Sequence, residues 1–258
     1  MKTVVLNSRI LGESSSPDLV ILHGLLGSSD NWQTLAKRYA EKFRVHLIDA
    51  RNHGRSPHIA EHSYKAMSED LLNYLDTNNI EQAALLGHSM GGKTVMTFTE
   101  LHPDRVTKLI IADIAARAYE SHHGPIFEAL KSTKPELAQS REEVSQILES
   151  YLGKDPVLIP FLMKSLRREK SGGYSWRFNV DALYSNLSNV TEKIELSLNT
   201  LPTLLIYGGA STYVNRSDID AFEKLYLRLE IACLEESGHW LHAQEPNEFY
   251  EITDEFLD

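Results

Sequence analysis

Short runs of Leu, Ile and Val recur along this chain and alternate with longer stretches of helical spacing. The runs are DLVILHG (Asp18 to Gly24), RVHLID (Arg44 to Asp49), AALLGHS (Ala83 to Ser89), VTKLIIAD (Val106 to Asp113) and TLLIYGG (Thr203 to Gly209), and LEIACLEESGH (Leu229 to His239) opens with a sixth. They are almost continuously apolar, as strands covered on both faces of a parallel sheet are. Between them NWQTLAKRYAEK, SYKAMSEDLLNYLDT, MGGKTVMTFTELHP, SDIDAFEKLYLRL and EPNEFYEITDEFL carry helical periodicity and end signals. Strand and helix in alternation predict an α/β fold, with a mostly parallel central sheet flanked by helices. A chain of 258 residues is long enough to bury such a core in one domain.

One region breaks the rhythm. From about residue 116 to 200 the pattern is helical, with no convincing buried strand, in stretches such as PIFEALKST, REEVSQILESYL and PVLIPFLMKSLRREKSGG. A helical insertion at a strand end is where an α/β protein builds a lid or a pocket. The expected organisation is therefore an N-terminal core part at 1–115, a helical lid insertion at 116–200 and a C-terminal core part at 201–258. No internal repeat or low-complexity segment is evident.

Charge and cysteine content narrow the function classes. With 26 Lys and Arg against 36 Asp and Glu the net charge is −10, which opposes nonspecific phosphate binding; no nucleic-acid partner is expected, although a local basic patch stays open. The single cysteine, Cys233, excludes an internal disulfide framework and any multi-thiolate metal site, and no metal site is expected. The N-terminal stretch MKTVVLNSRILG is too short in apolar residues for a signal-peptide core, and no uncharged run is long enough to span a bilayer. A soluble, cytoplasmic protein is expected, as a monomer with oligomers left open.

The stretch GHSMG (Gly87 to Gly91) fits the pattern G-x-S-x-G. The pattern alone recurs by chance, but here it follows a strand-like run and precedes a helix-like one, as a nucleophile elbow requires. Ser89 would then sit on a strained turn with its hydroxyl lifted above the sheet edge. The amide of Met90, at the helix start, could donate to a developing oxyanion. A second amide is expected from HGLLGSSDNW (His23 to Trp32) after the first run, where His23-Gly24 could turn the amide of Leu25 toward Ser89.

A serine hydroxyl needs a base, and eleven histidines compete for the role. His239, in ESGHW after the last run, lies late in the chain, as the order Ser, Asp, His demands. His242 lacks a preceding glycine and is expected to pack behind it; His88 is too near Ser89 in the chain to serve. The acid commonly follows the run TLLIYGG, but the loop GGASTYVNRSD places Ser211 where a carboxylate is expected. Asp113, ending LIIAD at another carboxyl end of the sheet, can still reach the far nitrogen of the histidine and fix its tautomer. Asp113 is assigned ahead of Asp218, which falls on the next helix; capping the insertion is a compatible second role for Asp113. Asp49 and Arg51 are expected to brace the loop after the second run rather than hold a substrate anion. Lys93 is expected to be a solvated or ion-paired helix residue.

Together LHGLLGSSDNW, DARNHGRSP, GHSMGGKTVM, ADIAARAY, SWRFN and ESGHWLHAQEP, in this order along nearly the whole chain, resemble the α/β-hydrolase superfamily. Within it they resemble the small bacterial esterases of the YbfF type and their mitochondrial abhydrolase relatives. The resemblance implies the α/β-hydrolase fold with a helical lid, no cofactor, and hydrolysis of a small-molecule acyl ester or thioester through Ser89, His239 and Asp113. It also implies an acid after the strand that the family counts as its sixth, which Asp113 matches. Trp240 would sit beside the base and wall the acyl pocket, where His23, which braces its own loop, is also expected; SWRFN would close the lid onto the body. The lid is the least similar segment, so substrate choice does not carry over. A carbon–carbon hydrolase or lyase on the same triad and a non-catalytic receptor on the same fold remain alternatives. A haloalkane or epoxide hydrolase is disfavoured because Ser89 stands where those enzymes carry aspartate.

Overall fold

The computed structural model describes residues 2–120 and 123–258. Positions 1, 121 and 122, which fall within the expected segments 1–115 and 116–200, lie outside the described residues. In chain order the first half comprises β1 (Ser8–Leu11), β2 (Asp18–Leu22), α1 (Gln33–Tyr39), β3 (Arg44–Ile48), α2 (Tyr64–Thr77), β4 (Ala83–His88), α3 (Met90–Leu101) and β5 (Val106–Ala112). An inserted block follows: α4 (Gly124–Ser132), α5 (Arg141–Leu152), α6 (Leu158–Lys164), β6 (Leu166–Arg168), β7 (Tyr174–Trp176), α7 (Val180–Ser185) and α8 (Leu187–Thr191). The chain closes with β8 (Thr203–Gly208), α9 (Arg216–Leu225), β9 (Leu229–Leu234), α10 (Leu241–Gln244) and α11 (Pro246–Leu257).

Seven strands form one sheet in the order β1-β3-β2-β4-β5-β8-β9, parallel throughout except for β1, which pairs antiparallel with β3. The apolar runs are strands because both of their faces are covered. Val20, Leu22, Leu85, Leu109 and Ile111 pack with Leu71, Val95 and Phe222 on one face. Their neighbours Leu19, Ile21, Leu86, Ile110 and Ala112 pack with Leu35 and Phe249 on the other. Each such fully buried Val, Leu or Ile side chain contributes about 1.5–3 kcal/mol relative to exposure. α2 starts where Ser63 Oγ accepts from the Ala66 amide, and buries Met67, Leu71, Tyr74 and Leu75 along one stripe.

Strand order reverses between β2 and β4, since β3 lies beyond β2 while β5 lies beyond β4. Loops leaving these two carboxyl ends diverge and open a crevice at this switch point. Ser89 follows β4 and His23 follows β2.

Two elements depart from the sequence reading. β1 was not among the expected strands: SRIL is short, sits on the sheet edge and alternates too weakly to register. The insertion holds a small antiparallel hairpin, β6 with β7, where only helices were expected, because three-residue strands leave no apolar run. The insertion has its own core, in which Phe127, Leu130, Val144, Leu148, Leu162 and Trp176 pack with Leu26 of the body. Among the described residues no helix is long and apolar enough to cross a membrane.

Candidate active site

β4 ends at His88 and α3 begins at Met90, leaving Ser89 alone in the turn at φ 54°, ψ −117°. A residue with a Cβ pays strain there, of the order of 1–3 kcal/mol, and the surrounding structure must hold it in place. The restraints are visible. The Ser89 amide donates to Ala112 O at 3.1 Å, and its carbonyl accepts from Lys93 N at 3.1 Å. The flanking glycines are required by contact: a Cβ at Gly87 would strike the Gly91 carbonyl, and one at Gly91 would strike the Leu22 carbonyl.

Asp113 is the next residue after β5, also in the left-handed region at φ 48°, and its side chain is fully buried. Three donors meet it. His239 Nδ1 lies 2.7 Å from Oδ2, Ser211 Oγ donates to the same oxygen at 2.5 Å, and the Gly208 amide donates to Oδ1 at 3.1 Å. Asp218, the rival carboxylate, is engaged elsewhere: it accepts from the Asn215 amide at the start of α9 and pairs with Arg117 at 3.1 Å.

His239 follows β9, its side chain 15% exposed. Tyr213 stacks on its face, with ring centroids 3.7 Å apart and planes 15° apart. On another side lies His88, whose Nε2–H donates to the backbone carbonyl of His239 at 2.7 Å. Complete burial pushes the His88 pKa well below the usual value, as neighbouring His242 and His239 also do, so it is a neutral donor.

Ser89 and His239 border one cavity of about 200 Å³, beside Leu25, Leu26, Phe161 and Trp240. The lining is mostly apolar, and α6 of the insertion roofs it, with Phe161 against Trp240 at 5.6 Å between ring centroids. The loop after β2 is braced by buried hydrogen bonds. His23 Nε2 accepts from Ala50 N at 3.1 Å while Nδ1 donates to Gly24 O at 2.8 Å, so this buried ring braces its loop and also borders the cavity. Leu26, at φ 62°, gives its amide to His53 Nε2 at 3.0 Å. The neighbouring Leu25 amide has no acceptor among the described residues. The Met90 amide opens α3, where helix geometry supplies none.

The remaining motif residues are structural. Arg51 is fully buried and grips Asp70 through Nε at 2.6 Å and Nη2 at 2.8 Å. Its partner is thus Asp70, while Asp49 accepts from the amides of Ser29 and Arg55. In SWRFN, Asn179 N donates to Asn52 O at 2.9 Å and Arg177 pairs with Asp30 at 2.8 Å, joining the insertion to the body. Lys93 corrects the sequence reading. It is neither solvated nor ion-paired but buried, and Nζ donates to the carbonyls of Arg117 (2.8 Å) and Glu192. Desolvation pulls its pKa down to about 8. His242 stacks on Trp32 at 4.2 Å behind the base. Among the described residues no three His, Cys, Asp or Glu side chains converge as a metal ion would need.

Sequence reasoning missed Tyr213 and the contact of Ser211 with Asp113. The one available signal was Ser211 itself, a hydroxyl residue standing where a carboxylate is usual.

Comparison with known proteins agrees with this architecture. The family described as alpha/beta hydrolase fold matches residues 17–246. The solved structure of a marine microorganism esterase superposes with a TM-score of 0.95 at 40% identity, over 98% of this chain and 100% of the other. The sn-1-specific diacylglycerol lipase ABHD11 of Mus musculus is 36% identical over 255 residues, 95% of this chain and 82% of the relative. Esterase YbfF of Escherichia coli strain K12 is 35% identical over 235 residues, 91% of this chain and 90% of the relative.

Proposed function

This chain belongs to the α/β-hydrolase family and is a carboxylic ester hydrolase, and we propose that it works through Ser89, His239 and Asp113 with an acyl-enzyme intermediate. The observation that carries the proposal is the 2.7 Å contact between His239 Nδ1 and Asp113 Oδ2 beside the cavity that Ser89 borders.

Ser89 Oγ attacks the acyl carbonyl carbon while His239 Nε2 takes its proton. Asp113 keeps the proton on Nδ1, which leaves Nε2 free to accept, and it stabilises the imidazolium that forms. The amides of Leu25 and Met90 hold the oxyanion, and loss of one such donor typically costs about 3–4 kcal/mol. The carbon–oxygen or carbon–sulfur bond then breaks and His239 gives its proton to the leaving alcohol or thiol. Water attacks the acyl-enzyme by the same route and Ser89 recovers its hydroxyl. The apolar cavity holds the acyl chain, with Trp240, Phe161 and His23 in its wall. Residues 116–200 serve as a lid over a body made of 1–115 and 201–258.

The names of the relatives, an esterase and a diacylglycerol lipase, support oxygen esters; thioesters follow from the same chemistry. A panel of p-nitrophenyl esters and acyl-CoAs of graded chain length, run beside Ser89→Ala, tests the reading. Turnover that vanishes in the variant supports it. Turnover retained in a folded Ser89→Ala sinks it.

A further inference from the structure

The base is supported on a face that the triad does not account for. Tyr213 lies almost parallel to the His239 ring, with centroids 3.7 Å apart and planes 15° apart, so the two rings are in face-to-face contact. An imidazole with one edge tied to Asp113 can still swing about that bond; a flat ring against its face removes the swing. The backbone of Tyr213 is itself pinned at both ends. Its amide donates to Ser211 Oγ at 3.2 Å, and its carbonyl accepts from the hydroxyl of Tyr119 at 2.7 Å.

Tyr119 belongs to the neck of the insertion. Its amide donates to Thr191 O at 2.8 Å, and Ile194 N donates to Ala116 O at 2.8 Å, so the entering and leaving segments of the neck are stitched together. Its hydroxyl also accepts from the Ala115 amide at 2.7 Å, two residues beyond Asp113. Its ring is held between cations: the Arg117 guanidinium lies 4.0 Å and the Lys93 ammonium 4.9 Å from the centroid. A continuous line of contacts thus runs from the nucleophile helix and the lid neck through Tyr119 to Tyr213 and onto the imidazole.

We infer that Tyr213 is a positioning residue for His239, and that the lid neck holds it in place through the hydroxyl of Tyr119. The inference rests on the reading of His239 as general base, and its test separates the two. Misplacing a catalytic group by about 1 Å can cost on the order of 100-fold, so partial release of the ring lowers kcat roughly tenfold or more in Tyr213→Leu while KM changes little. Tyr213→Phe, which keeps the ring, recovers most of that loss. Tyr119→Phe, which removes one hydroxyl and no packing, lowers kcat by a smaller factor in the same direction.

The independent readout is the far-downfield proton resonance of a histidine Nδ1–H held against a carboxylate, followed in the parent protein and each variant. The inference predicts that it broadens or moves upfield in Tyr213→Leu and Tyr119→Phe and persists in Tyr213→Phe. A resonance unchanged in Tyr213→Leu overturns the positioning role whatever the rate does. Should Tyr213→Leu fail to fold, the same reading is taken from Tyr119→Phe. A chain that hydrolyses no ester yet loses the resonance in these variants would sink the proposed reaction and leave the positioning role standing.

Discussion

The hydroxyl of Ser211 donates to Oδ2 of Asp113 at 2.5 Å, the same oxygen that faces Nδ1 of His239. A serine after β8 thus meets the carboxylate supplied from after β5, one strand over. With Gly208 N on the other oxygen, the plane of the carboxylate is held by contacts that do not involve the imidazole.

Asp113→Asn tests that assignment. An amide donating to Nδ1 would force the imidazole into the tautomer whose Nε2 carries the proton, and that form cannot accept from Ser89. By analogy with other triads kcat falls roughly 10⁴-fold with the fold retained. Asp218→Asn, which touches the Arg117 pair and the start of α9, leaves kcat within about threefold and lowers stability by about 1 kcal/mol. Steady-state rates with one ester decide. A larger loss from Asp218→Asn would move the acid.

Gly91→Ala probes the elbow without touching a reactive group. The added methyl meets the backbone carbonyl of Leu22, which cannot swing aside as a side chain could. The expected cost is about 1–3 kcal/mol in urea unfolding, with reduced turnover because α3 and Ser89 shift together. Unchanged stability would mean that the turn is looser than its contacts indicate.

Much of this was legible in the sequence. The strands were readable because a sheet covered on both faces demands unbroken apolar runs. Ser89 stood out because close backbone approach at Gly87 and Gly91 admits no side chain. Asp113 could be reached because a missing carboxylate at Ser211 sent the search to the neighbouring strand end. β1 escaped because an edge strand of four residues leaves no such signature, and the β6–β7 hairpin because three residues leave none either. Lys93 was misjudged for a physical reason: a lysine on an amphipathic helix ordinarily faces water. Only the fold, which offers it two carbonyls and the ring of Tyr119 from the neck and the ring of Tyr64 from α2, makes burial tolerable. Tyr213 was invisible because stacking on a histidine 26 residues away leaves no local pattern.

Lys93→Met should loosen the neck of the insertion. It strands the carbonyls of Arg117 and Glu192, both part-buried acceptors, and losing a donor there costs about 1–3 kcal/mol in all, offset in part by removing a desolvated charge. A net loss of roughly 1–3 kcal/mol is expected, with faster hydrogen exchange at the amides of Tyr119 and Ile194. Exchange unchanged at both amides would contradict the tether.

Acid should destabilise the protein well before its carboxylates protonate. Burial lowers the pKa of His62 and of His242 to about 3, from 6.5 when unfolded; His23 and His46 move the same way, and His53 and His88 fall well below 6.5. Between those limits the unfolded chain binds protons that the folded chain refuses, so stability is fully present above about pH 6.5 and falls as pH drops toward about 3. His62 and His242 each add a slope of up to about 1.4 kcal/mol per pH unit inside that window, and the other four histidines act in the same direction. Urea midpoints measured from about pH 7.5 down to pH 5 should fall steadily, and His62→Gln should flatten the curve. Midpoints independent of pH over that span would show that these rings are not buried neutral.

In the proposed reaction a covalent acyl-enzyme forms on Ser89 with His239 as the base. The direct measurement is rapid acid quench during turnover of a slow ester, followed by peptide mass mapping of the acyl group, in the parent and in His239→Ala. An acyl adduct on Ser89 is expected in the parent and none in His239→Ala within the same time. An adduct on any other residue, or the same acylation rate without His239, would contradict it.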